Sequence, residues 1–118
     1  MTKVATRSSY GGWTFYQVVI VQTAASADCL MAAVTGKRIR LMGLVGTFNS
    51  AGTFQILNGS TALTGAISVA ATGYAILPFL RHEDVNHMCH GETTAGAALN
   101  MTTVTGFMNG TAIVAVEN

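Results

Sequence analysis

Apolar positions in this chain recur with a period of two, in short runs separated by Gly, Asn, Ser and Thr. No window carries the 3.6-residue period, with caps, that an amphipathic helix requires. "WTFYQVVIVQT" is rich in β-branched and aromatic side chains and predicts a strand over Thr14–Gln22. "ASAD" breaks it, "CLMAAV" is a shorter apolar run, and Thr35-Gly36-Lys37 turns the chain. "RIRLMGLVGTF" predicts the clearest long strand, Arg38–Phe48. A turn at Asn49–Gly52 leads to "TFQIL" and then to Asn58-Gly59. That dipeptide suits a type I′ hairpin turn, where both central residues need positive φ. "STALTG", "AISVAA" and "GYAILPF" predict short strands, "AALNMTTV" an alternating one and "GTAIVAV" the last. Gly-Thr-Phe stands at 46–48 and again at 52–54, which reads as two similar strands facing each other.

About eight short strands with such turns are the pattern of an all-β protein, a two-sheet antiparallel sandwich of jelly-roll type. Alternation predicts that Ile39, Leu41, Phe54, Ile56, Ile67, Val69, Leu99, Met101, Ile113 and Ala115 point inward. Burying one of the larger of these stabilises by about 1.5–3 kcal/mol. The opening "MTKVATRSSYGG" is polar and ends in glycine. Residues 1–13 therefore read as an N-terminal arm, and 14–118 as a single sandwich domain. A chain of 118 residues can support such a core without disulfide or metal staples.

Charge changes the picture. Asp, Glu, Lys and Arg make up 9% of the chain, against about 25% in an ordinary domain. None occurs from Leu41 to Leu80, and none from Thr93 to Val116. Free monomers keep themselves soluble with mixed surface charge. Strands without charged gatekeepers are expected to spend much of their surface against other subunits. A net charge of +1 gives no support for nucleic-acid binding. The one small basic cluster, Lys37, Arg38 and Arg40, reads as a half-exposed strand with Ile39 and Leu41 on its other face. No segment is long and apolar enough to span a membrane, and no signal-peptide core follows Lys3 and Arg7. Cys29 and Cys89 are expected to be free, buried and inert in a reducing cytosol.

Candidate chemistry gathers in "RHEDVNHMCHGE", residues 81–92, which holds His82, His87 and His90, Cys89, and three of the five acids. On a strand, His87 and Cys89 would share a face; on a helical turn, Glu83, His87 and His90 would. Either could begin a zinc site, which wants three or four converging ligands. Cys29 is the only distant soft ligand, so the segment reads as a polar loop at a surface or subunit contact, with no metal and no cofactor. The serines sit in no nucleophile elbow, and Cys89 and His90 are neighbours that a strand points apart. Glu83, Asp84 and Glu92 lie too close together to flank a glycosidic bond, and no phosphate-binding loop is present. The chain is not expected to be an enzyme. Tyr10, Trp13, Phe15 and Tyr16 read as core packing and an anchor for the arm, with sugar stacking as the alternative.

In order along the chain stand "AAVTGKRIRLMGLV", "LNGSTALTGAISVAATGYAILPF" and "GETTAGAALNMTT", followed by a β-rich close. The series resembles small β-sandwich proteins encoded among the structural genes of tailed bacteriophages, over roughly residues 28–118. The resemblance implies a virion protein, foremost a head decoration or cement protein. It would be a jelly-roll homotrimer assembled in the bacterial host cytoplasm. It would bind the major capsid protein on the outer head surface and brace the lattice against packaged DNA. A tail- or fibre-associated module that binds receptor glycans is the alternative. The 81–92 segment is richer in histidine than the matching region of that group. Expected contacts with capsid or neighbouring subunit are Lys3, Arg7, Tyr10, Trp13, His82, His87 and His90, with no nucleic acid and no membrane as partner.

Overall fold

Every connection but two small hairpin regions carries the chain from one sheet to the other. The computed structural model describes the backbone of residues 2–118 and the side chains of residues 9–118. The strands are β1 (Thr2–Tyr10), β2 (Trp13–Val21), β3 (Ala27–Met31), β4 (Ile39–Phe48), β5 (Gly52–Asn58), β6 (Thr61–Ala62), β7 (Ile67–Val69), β8 (Tyr74–Leu77), β9 (Leu99–Val104) and β10 (Met108–Glu117), with one 3-10 turn at His82–Asp84. The first sheet runs β1-β2-β10-β4-β8, and the second runs β3-β9-β5-β6 with β7 also on β5. All pairings are antiparallel. Set β1 aside and count β6 and β7 as one broken strand: eight strands remain in the jelly-roll order, changing sheet at every step except from β5 to β6, as the sequence pattern predicts.

The leader expected at 1–13 is different in its described part. Thr2–Tyr10 is a strand on the free edge of β2, and Tyr10 pairs with Trp13 across Gly11-Gly12. Both glycines have positive φ (58° and 89°), as a type I′ turn demands. The strand is bulged between Lys3 and Ala5 and again between Thr6 and Ser8, which obscures its alternation. At Asn58-Gly59 the hairpin is shifted by one residue from the expected turn. Asn58 pairs with Thr61, so Gly59 and Ser60 are central, and Gly59 alone of the two has positive φ. That is the type II′ arrangement. The two Gly-Thr-Phe segments end up in opposite sheets, and Phe48 and Phe54 meet between them at 6.3 Å.

Ile39, Leu41, Leu44, Phe54, Ile56, Leu99, Met101, Met108 and Val114 fill the space between the sheets. Ile67 is only partly buried against this core. Ile113 and Ala115 face the other way, and the pairing of β10 with β4 contains a bulge. Ile113 pairs with Gly43 and Val114 with Leu41, so Met42 is an extra residue on β4. The inward series on β10 is Met108, Ala112, Val114 and Val116, while Ala115 and Ile113 join a second cluster on the outer face.

One polar side chain stitches the sheets together. Gln22, just past β2, is buried. Its Oε1 accepts from the Met108 N–H at 3.0 Å and the Thr103 hydroxyl at 3.1 Å. Its Nε2 donates to Asp28 Oδ2 at 2.6 Å. Replacing it by leucine leaves the Met108 N–H without an acceptor. Gln22→Leu should cost about 1–3 kcal/mol in urea unfolding, whereas an unchanged midpoint would mean that water reaches this seam.

Candidate functional site

The histidine-rich segment covers the part of the first sheet's outer face around Trp13, Phe15 and Ala115. On β2 the outward residues are Trp13, Phe15, Gln17, Val19 and Val21. Across from them on β10 stand Glu117, Ala115, Ile113, Thr111 and Asn109. Residues 78–92 leave β8, cross the end of this face nearest Trp13, and return. The strap is fastened to β4 at both ends. The Leu80 N–H donates to the Met42 carbonyl at 2.8 Å, and the His90 N–H to the Leu41 carbonyl at 2.8 Å. Leu41 N–H then donates to Gly91 at 2.9 Å and Thr93 N–H to Ile39 at 2.8 Å. Between these staples Val85, fully buried, plugs a small core of Trp13, Phe15, Met42 and Ala115. Close approach requires glycine at 43, because a Cβ there would sit 2.7 Å from the Phe79 Cα.

Beneath the strap lies an ion network that the sequence did not disclose. Trp13 is 3% exposed, with the guanidinium groups of Arg40 and Arg38 4.5 and 5.5 Å from its ring centre. Such cation–π contacts strengthen as they are desolvated. Arg40 also bonds the Glu92 carboxylate and the Val85 carbonyl. Arg38 bonds Glu117 at 2.6 Å and Glu92 at 3.4 Å. The Trp13 indole N–H donates to Asn86 at 3.1 Å, and Asn86 donates in turn to the Gly11 carbonyl at 3.3 Å. The last residue is held as well, since the Asn118 N–H donates to Gly12 at 2.8 Å and Lys37 Nζ to the Asn118 carbonyl at 2.7 Å. Hydrogen bonds from the Arg38 side chain and backbone hold the Glu117 carboxyl down to about 2. The same pairing, with Glu92 as the next contributor, raises Arg38 above its ordinary value.

The strap's other flank borders an open groove of about 710 Å³, lined by Phe79, Leu80, Arg81, His82 and Glu83 on one side and Phe15, Gln17, Thr111 and Ile113 on the other. His82 stands at its rim, edge-on to Tyr10 at 5.0 Å and to Phe15 at 6.3 Å, with Glu83 at 3.0 Å. His87 is exposed. His90 Nε2 meets the Pro78 carbonyl at 2.7 Å. Tyr10 is 42% exposed, whereas Trp13, expected as a contact, is buried and offers no surface. The side chains of Lys3 and Arg7 lie outside the described residues. Among the described residues no three His, Cys, Asp or Glu side chains gather as metal ligands would. Both cysteines are free, but Cys29 is exposed and Cys89 half-buried, because β3 is an edge strand and 89 lies at the strap's hem. Partial burial still pushes the Cys29 thiol up. Glu92, Glu117 and Asn86 were missed by sequence reasoning, since their partners lie 54, 79 and 73 residues away.

Compared with protein-family models, with curated proteins and with solved structures, the chain finds no significant match.

Two outcomes follow from this geometry. Trp13 is the sole tryptophan and therefore reports on the strap. Gly43→Val should red-shift its emission and open the Arg81 bond to trypsin while circular dichroism stays β-type; an unshifted spectrum would show that the strap holds without the Gly43 contact. The Glu117 pairing is a depressed carboxyl, so its contribution is full above the ordinary value of 4.5 and is lost as pH falls toward about 2. The melting temperature of Glu117→Gln should therefore fall less than that of the parent across this window, and parallel curves would remove Glu117 from acid sensitivity.

Proposed function

We propose that this chain is a non-enzymatic virion structural protein, a decoration protein that binds the major capsid protein on the outer head surface as a homotrimer. The observation that carries this reading is the division of its surface. The Arg38–Arg40–Glu92–Glu117 network satisfies its own charges at one end of the sandwich. The turns at the opposite end, 22–26, 49–51, 70–73 and 105–107, contain no charged residue. Nor do the described side chains of the unstrapped part of the outer face, where Val21, Asn109, Thr47 and Tyr74 form one row and Val19, Thr111, Val45 and Ile76 the next. Tyr74 is 67% exposed, Val21 and Ile76 are 59%, and the neighbouring Phe79 is 49%. Apolar surface gathered like this marks an interaction site. Covering it desolvates no ion. Three copies engaging a lattice together would gain through effective concentration what each contact lacks alone.

A tail-associated glycan-binding module is the second reading. The groove beside Tyr10, His82 and Phe79 favours it, but the buried Trp13 cannot stack on a sugar. The two readings separate by cosedimentation with undecorated heads and by glycan-array binding. Heads should retain the protein and release DNA at a higher temperature, and paired Val21→Lys and Val45→Lys substitutions should weaken binding at least about tenfold, roughly 1.4 kcal/mol. Glycan binding without head binding would replace the decoration reading with the second one.

A further inference from the structure

The two sheets present their edges unequally. β1 is bulged twice, β3 is bulged between Cys29 and Met31 and carries Asp28, and β6 and β7 are two and three residues long. These are the usual ways of blunting a strand edge. β8 differs. It pairs with β4 in unbroken register from Thr47↔Tyr74 to Leu44↔Leu77, has no charge, and ends at Pro78. Its hydrogen-bonding phase is fixed by the Phe48 N–H, which donates to the Gly73 carbonyl at 3.0 Å. By antiparallel alternation Ala75 and Leu77 then point their amides and carbonyls at β4, and those of Tyr74 and Ile76 point away from the sheet.

We propose that β8 pairs with β8 of a second copy of this chain, antiparallel about a twofold axis at Ala75, joining the two first sheets into one of ten strands. Two constraints select this register. Residues directly opposed in a sheet must lie on the same face, and Tyr74 and Ile76 face outward while Ala75 is buried. The twofold must therefore fall on a residue and not between residues. Centred on Ala75, Tyr74 of each copy opposes Ile76 of the other, and their free amides and carbonyls form two hydrogen-bonded pairs. Centred on Ile76, Tyr74 would oppose Pro78, which has no N–H and whose carbonyl already meets His90. The Ala75 register alone uses all four free backbone groups on each copy. It also sets aromatic against β-branched side chains, a favourable cross-strand pair. A second copy is the occupant because this edge complements itself in both phase and side-chain size. The contact is twofold and does not depend on the decoration reading. With a threefold association it would link trimer to trimer.

Sedimentation of the full chain over rising concentration, with amide hydrogen exchange read by NMR, tests this. The expected results are a reversible doubling of the particle mass by about 1 mM, as a weak contact implies, and slowed exchange at Tyr74 and Ile76 as it forms. Ile76→Lys, at an exposed site, should abolish the doubling. Val104→Lys, equally exposed on β9 away from any edge, should leave it intact. A mass that never doubles, doubling that survives Ile76→Lys, or protection arising at another edge would overturn the proposal. Protection of these two amides only when capsid is added would also overturn it, assigning the edge to a foreign strand.

Discussion

Everything on the outer face of the first sheet depends on how Arg40 is held. Its guanidinium lies on Trp13 and bonds both Glu92 and the Val85 carbonyl. A buried cation is costly unless fully paired. Here each partner comes from a different part of the chain: Trp13 from the hairpin start, Val85 from the middle of the strap, Glu92 from its end. Arg40 itself sits beside the bulge that admits Met42. One largely covered charge thus draws the N-terminal hairpin, β4 and the strap together. Arg38 and Glu117 add the last strand to the same network.

The consequence is a sandwich with a third layer over one end of one face. The main core needs only the two sheets. The strap adds a smaller core around Val85, using polar sequence to cover apolar side chains. This is why histidines, acids and a cysteine are concentrated in 81–92, although no three such side chains gather as metal ligands would among the described residues. His82, Glu83 and His87 lie on the outer side of a cover whose inner side is Leu80, Val85 and Cys89, and Glu92 turns in to the arginines. The described side chains of the uncovered part are uncharged.

The jelly roll was legible because its strands keep period two and its turns are marked by Gly, Asn and Thr. Ile39, Leu41, Phe54, Ile56, Leu99 and Met101 are all in the core that alternation assigns them to. What sequence could not show has a physical cause in each case. Both phases of the run Ala112–Val116 are apolar, so alternation could not tell its faces apart: Ala112, Val114 and Val116 enter the main core, and Ile113 and Ala115 face outward under the strap. β1 looks like a leader because two bulges and polar residues hide its period. The 81–92 segment reads as a plain polar loop because a single valine anchors its middle. The Arg38–Glu117 pair joins residues far apart in sequence, and no local pattern marks such partners.

The uncovered part of the face also fixes how fast, and in what medium, it can engage anything. The described side chains there carry no charge, so they add no long-range steering, and a partner meeting them would associate in the unassisted range of about 10⁵–10⁶ M⁻¹s⁻¹. Simple salt has nothing to screen among these side chains, so a contact they made would keep its strength as ionic strength rises. Excluded salts such as sulfate deepen burial further. The surface trades speed of encounter for indifference to the ionic medium.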